Sequence, residues 1–217
     1  MVGLKANRID RLRKRAEGRD PRAMYALAYH LATLSDAEAY RAESVELLKS
    51  AAAKGDERAQ YALGTWYIYG VGVKKNYKTA CSYLLSSAKQ GYAPAQSYLA
   101  VALENGKGVK ANKEQAAKWY RKAAEQGDRD AQRELAYNYF HGIGLKPNVK
   151  AALFWARKAA KKGDAESQYS LGACYERGLG VKQNQRLAVL WYQKAVEQGH
   201  KDARAALKEL NKRKRLK

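Results

Sequence analysis

The sequence predicts an all-α fold: an αα-hairpin repeat solenoid of about five 36-residue repeats, with a capping helix at each end. Three observations predict it. Gly55, Gly91, Gly127, Gly163 and Gly199 fall 36 residues apart. A Gly-x-Gly recurs in the same register, as Gly70/Gly72, Gly106/Gly108, Gly142/Gly144 and Gly178/Gly180. Four residues after each second glycine stands an asparagine: Asn76, Asn112, Asn148 and Asn184. A fixed period of roughly 20–50 residues marks units that bury their apolar faces only against their neighbours.

Residues 1–18 read as a basic N-terminal cap, with a short helix over 5–17 that turns Ile9, Leu12 and Ala16 inward. Counting back 36 from Gly55 gives Arg19, which opens a degenerate first repeat, 19–54. Its first helix keeps an apolar stripe (Ala23, Leu27, Leu31), and its second ends in Leu47, Leu48, Ala51 and Ala52. Its loop, Thr33 to Ala37, lacks the Gly-x-Gly, as expected of a terminal repeat.

The repeats 55–90, 91–126, 127–162 and 163–198 share one plan. Gly55 suits the left-handed turn that ends the preceding helix, and Asp56 caps the next. Asp20, Asp128 and Asp164 occupy the same slot. Helix A follows, with Leu63, Leu99, Leu135 and Leu171 in register, each followed by Gly or Ala. The Gly-x-Gly breaks it, and the asparagine caps helix B. Helix B alternates small and large residues: Ala80, Ala116, Ala152 and Ala188, then Tyr83, Trp119, Trp155 and Trp191 three residues on. This pattern suits interdigitating antiparallel helices. Residues 199–211 supply a last apolar stripe (Ala203, Ala206, Leu207, Leu210), a C-terminal cap, and 212–217 form a basic tail.

The formal net charge is +21. Residues 1–17 carry six Lys/Arg against two acids and 199–217 carry eight against two, whereas 19–54 and 163–198 are close to neutral. Such a chain attracts polyanions and acidic proteins. Cys81 and Cys174 lie three repeats apart, too far for a disulfide, and read as free buried thiols. No run approaches 18 apolar residues, so no membrane span is expected. Residues 1–8 show no apolar leader, which predicts a cytoplasmic location.

Nothing here points to an enzyme, a catalytic residue, a metal site or a cofactor. His30, His141 and His200 have no second ligand at zinc spacing. The Gly-x-Gly turns lack the preceding strand and the third glycine of a dinucleotide fingerprint.

The string from Ala59 to Gly91 (AQYALGTWYIYGVGVKKNYKTACSYLLSSAKQG) and its copy from Ser167 to Gly199 (SQYSLGACYERGLGVKQNQRLAVLWYQKAVEQG) resemble the Sel-one-like repeat, a branch of the tetratricopeptide-like clan. The resemblance covers residues 19–198. It implies hairpins stacked into a right-handed superhelix and a non-enzymatic adaptor role, as in bacterial signalling, host interaction and protein quality control. The branch that pairs cysteines within each repeat is not matched here.

By analogy with tetratricopeptide-like arrays, the A helices line a concave face. The positions that face inward vary between copies and are rich in Tyr and Arg, types enriched at binding hot spots. They nominate Arg22, Tyr25, Tyr29, Arg58, Tyr61, Tyr69, Arg133, Tyr137, Phe140, His141, Tyr169 and Arg177 as a groove for a protein or peptide segment, acidic ones included. The second reading is polyanion or nucleic-acid binding by the basic ends, through Arg11, Arg13, Lys14, Arg15, Lys212, Arg213, Lys214 and Arg215, together with the central basic repeats. Both ends look capped, which predicts a monomer.

Overall fold

The computed structural model describes residues 2–34 and 38–215, with side chains for 9–33 and 40–213. Ser35, Asp36 and Ala37 of the first repeat's loop lie outside the described residues. Twelve helices and no strand are present among those described: α1 (Val2–Glu17), α2 (Pro21–Leu34), α3 (Glu38–Ala53), α4 (Glu57–Tyr69), α5 (Tyr77–Lys89), α6 (Ala93–Asn105), α7 (Lys113–Glu125), α8 (Arg129–His141), α9 (Val149–Lys161), α10 (Ala165–Arg177), α11 (Gln185–Glu197) and α12 (Lys201–Arg215). Even-numbered helices from α2 to α10 are the A helices of the five repeats, and odd-numbered ones from α3 to α11 the B helices. No described helix is long and apolar enough to cross a membrane.

The predicted caps form. The Asp56 carboxylate accepts from the Arg58 and Ala59 N–H groups at 3.1 and 2.8 Å. Asn76 accepts from the Thr79 N–H at 3.0 Å, and Asn148 and Asn184 do the same for α9 and α11. Gly70 ends α4 in the left-handed region (φ 78°), where its N–H reaches the Trp66 carbonyl. At the opening turn of the first repeat the left-handed position holds Arg19 rather than a glycine, and Arg19 takes that conformation itself (φ 62°).

Small residues set the closeness of each hairpin. A methyl group on Gly64 would lie 2.7 Å from Leu84 Cγ, and one on Gly172 2.5 Å from Tyr192 Cδ1. Leu63, Leu135 and Leu171, each one residue before this small position, are fully buried. Each such burial is worth roughly 1.5–3 kcal/mol.

A further landmark escaped the sequence reading. Gln60, Gln96, Gln132 and Gln168 each donate a side-chain N–H to a carbonyl eight residues back, on Ala52, Ala88, Ala124 and Ala160. Each glutamine thereby adds a second donor to a carbonyl at the end of the preceding B helix that already accepts from the N–H of the turn glycine.

The chain divides into two compact units, Met1–Asn112 and Lys113–Lys217. In the first, α1 to α6 pack in sequence, around a core that includes Leu27, Leu31, Leu48 and Leu63. In the second, α7 to α12 pack in sequence, and Tyr192, Ala195, Ala203 and Leu210 close the end against α12. Cys81 and Cys174 are free and buried, and burial pushes both thiols up from their ordinary range.

Candidate functional site

In the first unit the nominated side chains form an aromatic cluster. Tyr61 meets Tyr92 and Tyr98 edge to face, with ring centroids 5.3 and 5.6 Å apart. The Tyr98 hydroxyl hydrogen-bonds Tyr69, and that bond together with burial pushes its pKa up. Tyr25 is half-buried on the core, 6.5 Å from Tyr29, whose ring is 60% exposed. Arg22 and Arg58 are exposed at this face. Two members of the cluster were not nominated from sequence. Tyr92 holds the helix-capping slot that aspartate fills in the four other repeats, and caps nothing with its side chain. That substitution was the signal available for it.

In the second unit the A helices α8 and α10 and the B helix α9 enclose a cleft of about 470 Å³. All six nominated residues of this unit line it: Arg133, Tyr137, Phe140, His141, Tyr169 and Arg177. Leu153, Ala156, Ala173 and Cys174 form its apolar floor. Tyr137 is 53% and Phe140 37% exposed, large apolar surfaces left open to solvent. The Tyr137 and His141 rings lie 4.2 Å apart, one helical turn along α8.

The two arginines differ. Arg133 is tied to Asp130, Glu134 and Asp164 at 3.1, 2.9 and 3.0 Å. Its fork therefore locks the wall of the cleft, joining α8 to the N-terminus of α10. Arg177 is exposed at the rim, and no described carboxylate lies within 4 Å of it.

Tyr169 stacks on His200, with centroids 4.8 Å and planes 22° apart. His200 was not nominated, and it stands in the aspartate capping slot of the repeat plan. Its Nδ1 accepts from the Ala203 N–H at 3.2 Å, so Nε2 carries the proton and donates to Glu166 at 3.1 Å. The histidine thus caps α12 and anchors the ring of Tyr169 at once.

The basic ends are helical. Arg13 pairs with Glu43 and Arg15 with Asp20, while Lys14 is exposed. Arg11 is exposed and is not without a partner. Lys212 is exposed on α12 and Arg213 pairs with Glu176 at 3.5 Å. The side chains of Lys214 and Arg215 lie outside the described residues. Among the described residues no group of three or more His, Cys, Asp or Glu is placed to hold a metal ion.

Comparison with known proteins accounts for this architecture. The Sel1 repeat matches five times in tandem, at residues 21–56, 57–92, 93–128, 129–164 and 165–200. No curated protein matches the chain at a significant level. Among solved structures, c5321, a protective antigen of uropathogenic Escherichia coli with an SLR fold, is 30% identical with a TM-score of 0.87. That match covers 93% of this chain but only 43% of the antigen. A Sel1 repeat protein from Oxalobacter formigenes is 37% identical with a TM-score of 0.73, over 78% of this chain and 67% of its own. The immunity protein Pa5087 of Pseudomonas aeruginosa is 25% identical with a TM-score of 0.52, over 84% of this chain and 67% of its own.

Proposed function

Because the chain belongs to the Sel1 repeat family, we propose that it is a non-enzymatic scaffold that holds a segment of a protein partner on its A-helix face, in the cytoplasm and as a monomer. The cleft of the second unit takes an apolar or aromatic anchor side chain. The observation that carries this reading is the cleft itself. Six variable A-helix positions converge on about 470 Å³ of mostly apolar space, with Tyr137 and Phe140 exposed at its mouth. A volume and a mostly apolar lining of this order are typical of ligand clefts and support this reading. An immunity protein among the similar folds is consistent with protein recognition.

The charge of this face bears on the partner. Helices α8 and α10 carry three Lys/Arg against four Asp/Glu, so the anchor is expected to be apolar. Arg177 is left to take a single carboxylate beside the anchor. The aromatic cluster of the first unit supplies a second contact area of the same kind.

Selection of a random twelve-residue peptide library on the purified protein tests this reading. An enriched motif with an aromatic or large aliphatic residue supports it, provided Tyr137→Ala/Phe140→Ala weakens the selected peptides. Two lost anchors should cost about 2–4 kcal/mol of binding, with the fold intact by circular dichroism. Peptides bound equally well by the variant would refute the cleft as the site.

A further inference from the structure

The charges of the second unit are sorted between its two kinds of helix. The B helices α7, α9 and α11 carry ten Lys/Arg against three Glu. The A helices between them are balanced. Helix α9 has four cations and no acid. The first unit shows no such bias: α3 carries two Lys/Arg and three Glu, and α5 two Lys. The asymmetry therefore belongs to one layer of one unit.

Within that layer a single motif repeats. Trp-x-x-Lys occurs at the same repeat position three times, as Trp119/Lys122, Trp155/Lys158 and Trp191/Lys194. In each copy the ammonium lies over the indole, 4.6, 5.0 and 4.8 Å from the ring centroid. Lys158 also lies 4.7 Å from the ring of Phe154, which is 50% exposed. The first two repeats lack the motif, with Leu47/Ser50 and Tyr83/Ser86 instead. All three lysines are exposed, and no described carboxylate lies within 4 Å of any of them.

A lysine seated on a ring has given up rotamer freedom before any ligand arrives, while its N–H donors still face solvent. No described carboxylate neutralises any of the three, so their charge is available to a ligand. We propose that the B-helix layer of the second unit binds single-stranded nucleic acid, with Lys122, Lys158 and Lys194 on successive stretches of its phosphate backbone. The exposed ring of Phe154 offers a stacking face for a base. Cations on three separate helices, one repeat apart, suit a linear polyanion. The three indoles are buried or half-buried beneath ammonium groups rather than protruding, which disfavours insertion into a bilayer. This surface is separate from the A-helix cleft and does not depend on its role.

The test is fluorescence anisotropy with a labelled 20-nucleotide uridine oligonucleotide across a salt series. The wild type should bind, with affinity falling steeply as salt rises. Lys122→Gln/Lys158→Gln/Lys194→Gln should weaken binding about tenfold or more and flatten the log–log salt slope by about 2. The Lys→Arg triple variant should bind like wild type, and Tyr137→Ala/Phe140→Ala should be without effect. Absence of binding at low salt overturns the proposal. So does loss of binding on neutralising Lys212, Arg213, Lys214 and Arg215 with no effect of the triple variant. Equal affinity for a 20-base-pair duplex overturns the single-strand assignment. Binding to vesicles with 30% phosphatidylserine that is abolished by the same triple variant, with none to the oligonucleotide, assigns the face to membranes and overturns it too.

Discussion

The side-chain N–H of Gln90 donates to Gln60 Oε1 at 2.8 Å, and Gln198 repeats this bond to Gln168 at the same distance. In each pair the inner glutamine passes the chain on to a helix-end carbonyl, on Ala52 or Ala160. Two residues 30 apart thus relay a hydrogen bond from the end of one B helix to the end of the preceding one. The fourth repeat breaks the relay. Lys162 stands in the outer position and donates instead to the Gly127 carbonyl, leaving Gln132 Oε1 buried with no partner.

Restoring the relay should stabilise the protein. Lys162→Gln is expected to raise unfolding free energy by about 0.5–1 kcal/mol, the worth of one net hydrogen bond. Urea denaturation at equal m-value checks it. No gain would mean that Gln132 Oε1 is already satisfied by solvent.

Arg19 is the one described non-glycine residue with a positive φ, at the turn where every other copy has glycine. Its N–H bonds the Ala16 carbonyl, as the Gly55 N–H bonds Ala52. The left-handed conformation costs an L-residue about 1–2 kcal/mol, partly offset by the greater freedom of glycine when unfolded. Arg19→Gly should therefore stabilise by about 0.5–1 kcal/mol, read as a rise in Tm. A fall in Tm would show that the arginine side chain contributes more than the strain costs.

Asn138 is fully buried, and neither polar atom of its side chain has a hydrogen-bond partner. The equivalent residues are Trp66, Ala102 and Cys174. Asn138→Cys, the residue at the equivalent position 174, removes the unpaired amide without adding bulk, so a gain of about 1–2 kcal/mol is expected in chemical denaturation. A loss would point to a polar role for Asn138 in the unit.

Asp164 gives a pH prediction. Burial disfavours its carboxylate, but hydrogen bonds from the Ser167 hydroxyl and N–H and from Arg133 outweigh this and hold its pKa below the ordinary 3.8. A depressed folded-state pKa stabilises fully above the unfolded value, and the stabilisation is lost as pH falls through the folded one. Asp164→Asn keeps a capping oxygen but loses the charge pair with Arg133. It should cost about 1–2 kcal/mol at pH 7. The gap to wild type should narrow once pH drops below about 4, the ordinary aspartate value. A gap that stays constant between pH 7 and pH 3 would mean that the charge of Asp164 contributes nothing.

Much of the fold was legible because it is written five times. Glycine and asparagine at fixed intervals have one physical use each here, a left-handed turn and a helix cap, and repetition removes the ambiguity of any single occurrence. The relay glutamines recur just as strictly but passed unnoticed. Glutamine has no backbone preference that announces its role, and its partner is chosen by packing.

The candidate site was legible only as a set of positions. Sequence spacing placed Arg133 and Arg177 on the same face as equals. Only the packed structure separates them, because the three carboxylates that hold Arg133 come from its own helix and from the cap of the next. Tyr92, Tyr98 and His200 joined the site for a similar reason: they reach it across a helix pair, at a distance that no single-helix periodicity encodes.

The sequence by itself determined the class of fold, the repeat length, the caps and turns, and the absence of a membrane-length apolar helix. These follow from local backbone chemistry and from a pattern that each unit states alone. Tertiary structure alone decided which aromatic rings are open, which cations are already paired, and that six scattered side chains share one cleft. It also showed that Lys122, Lys158 and Lys194 sit on indole rings. Such facts depend on where side chains from different helices meet, and that is settled by packing across repeats.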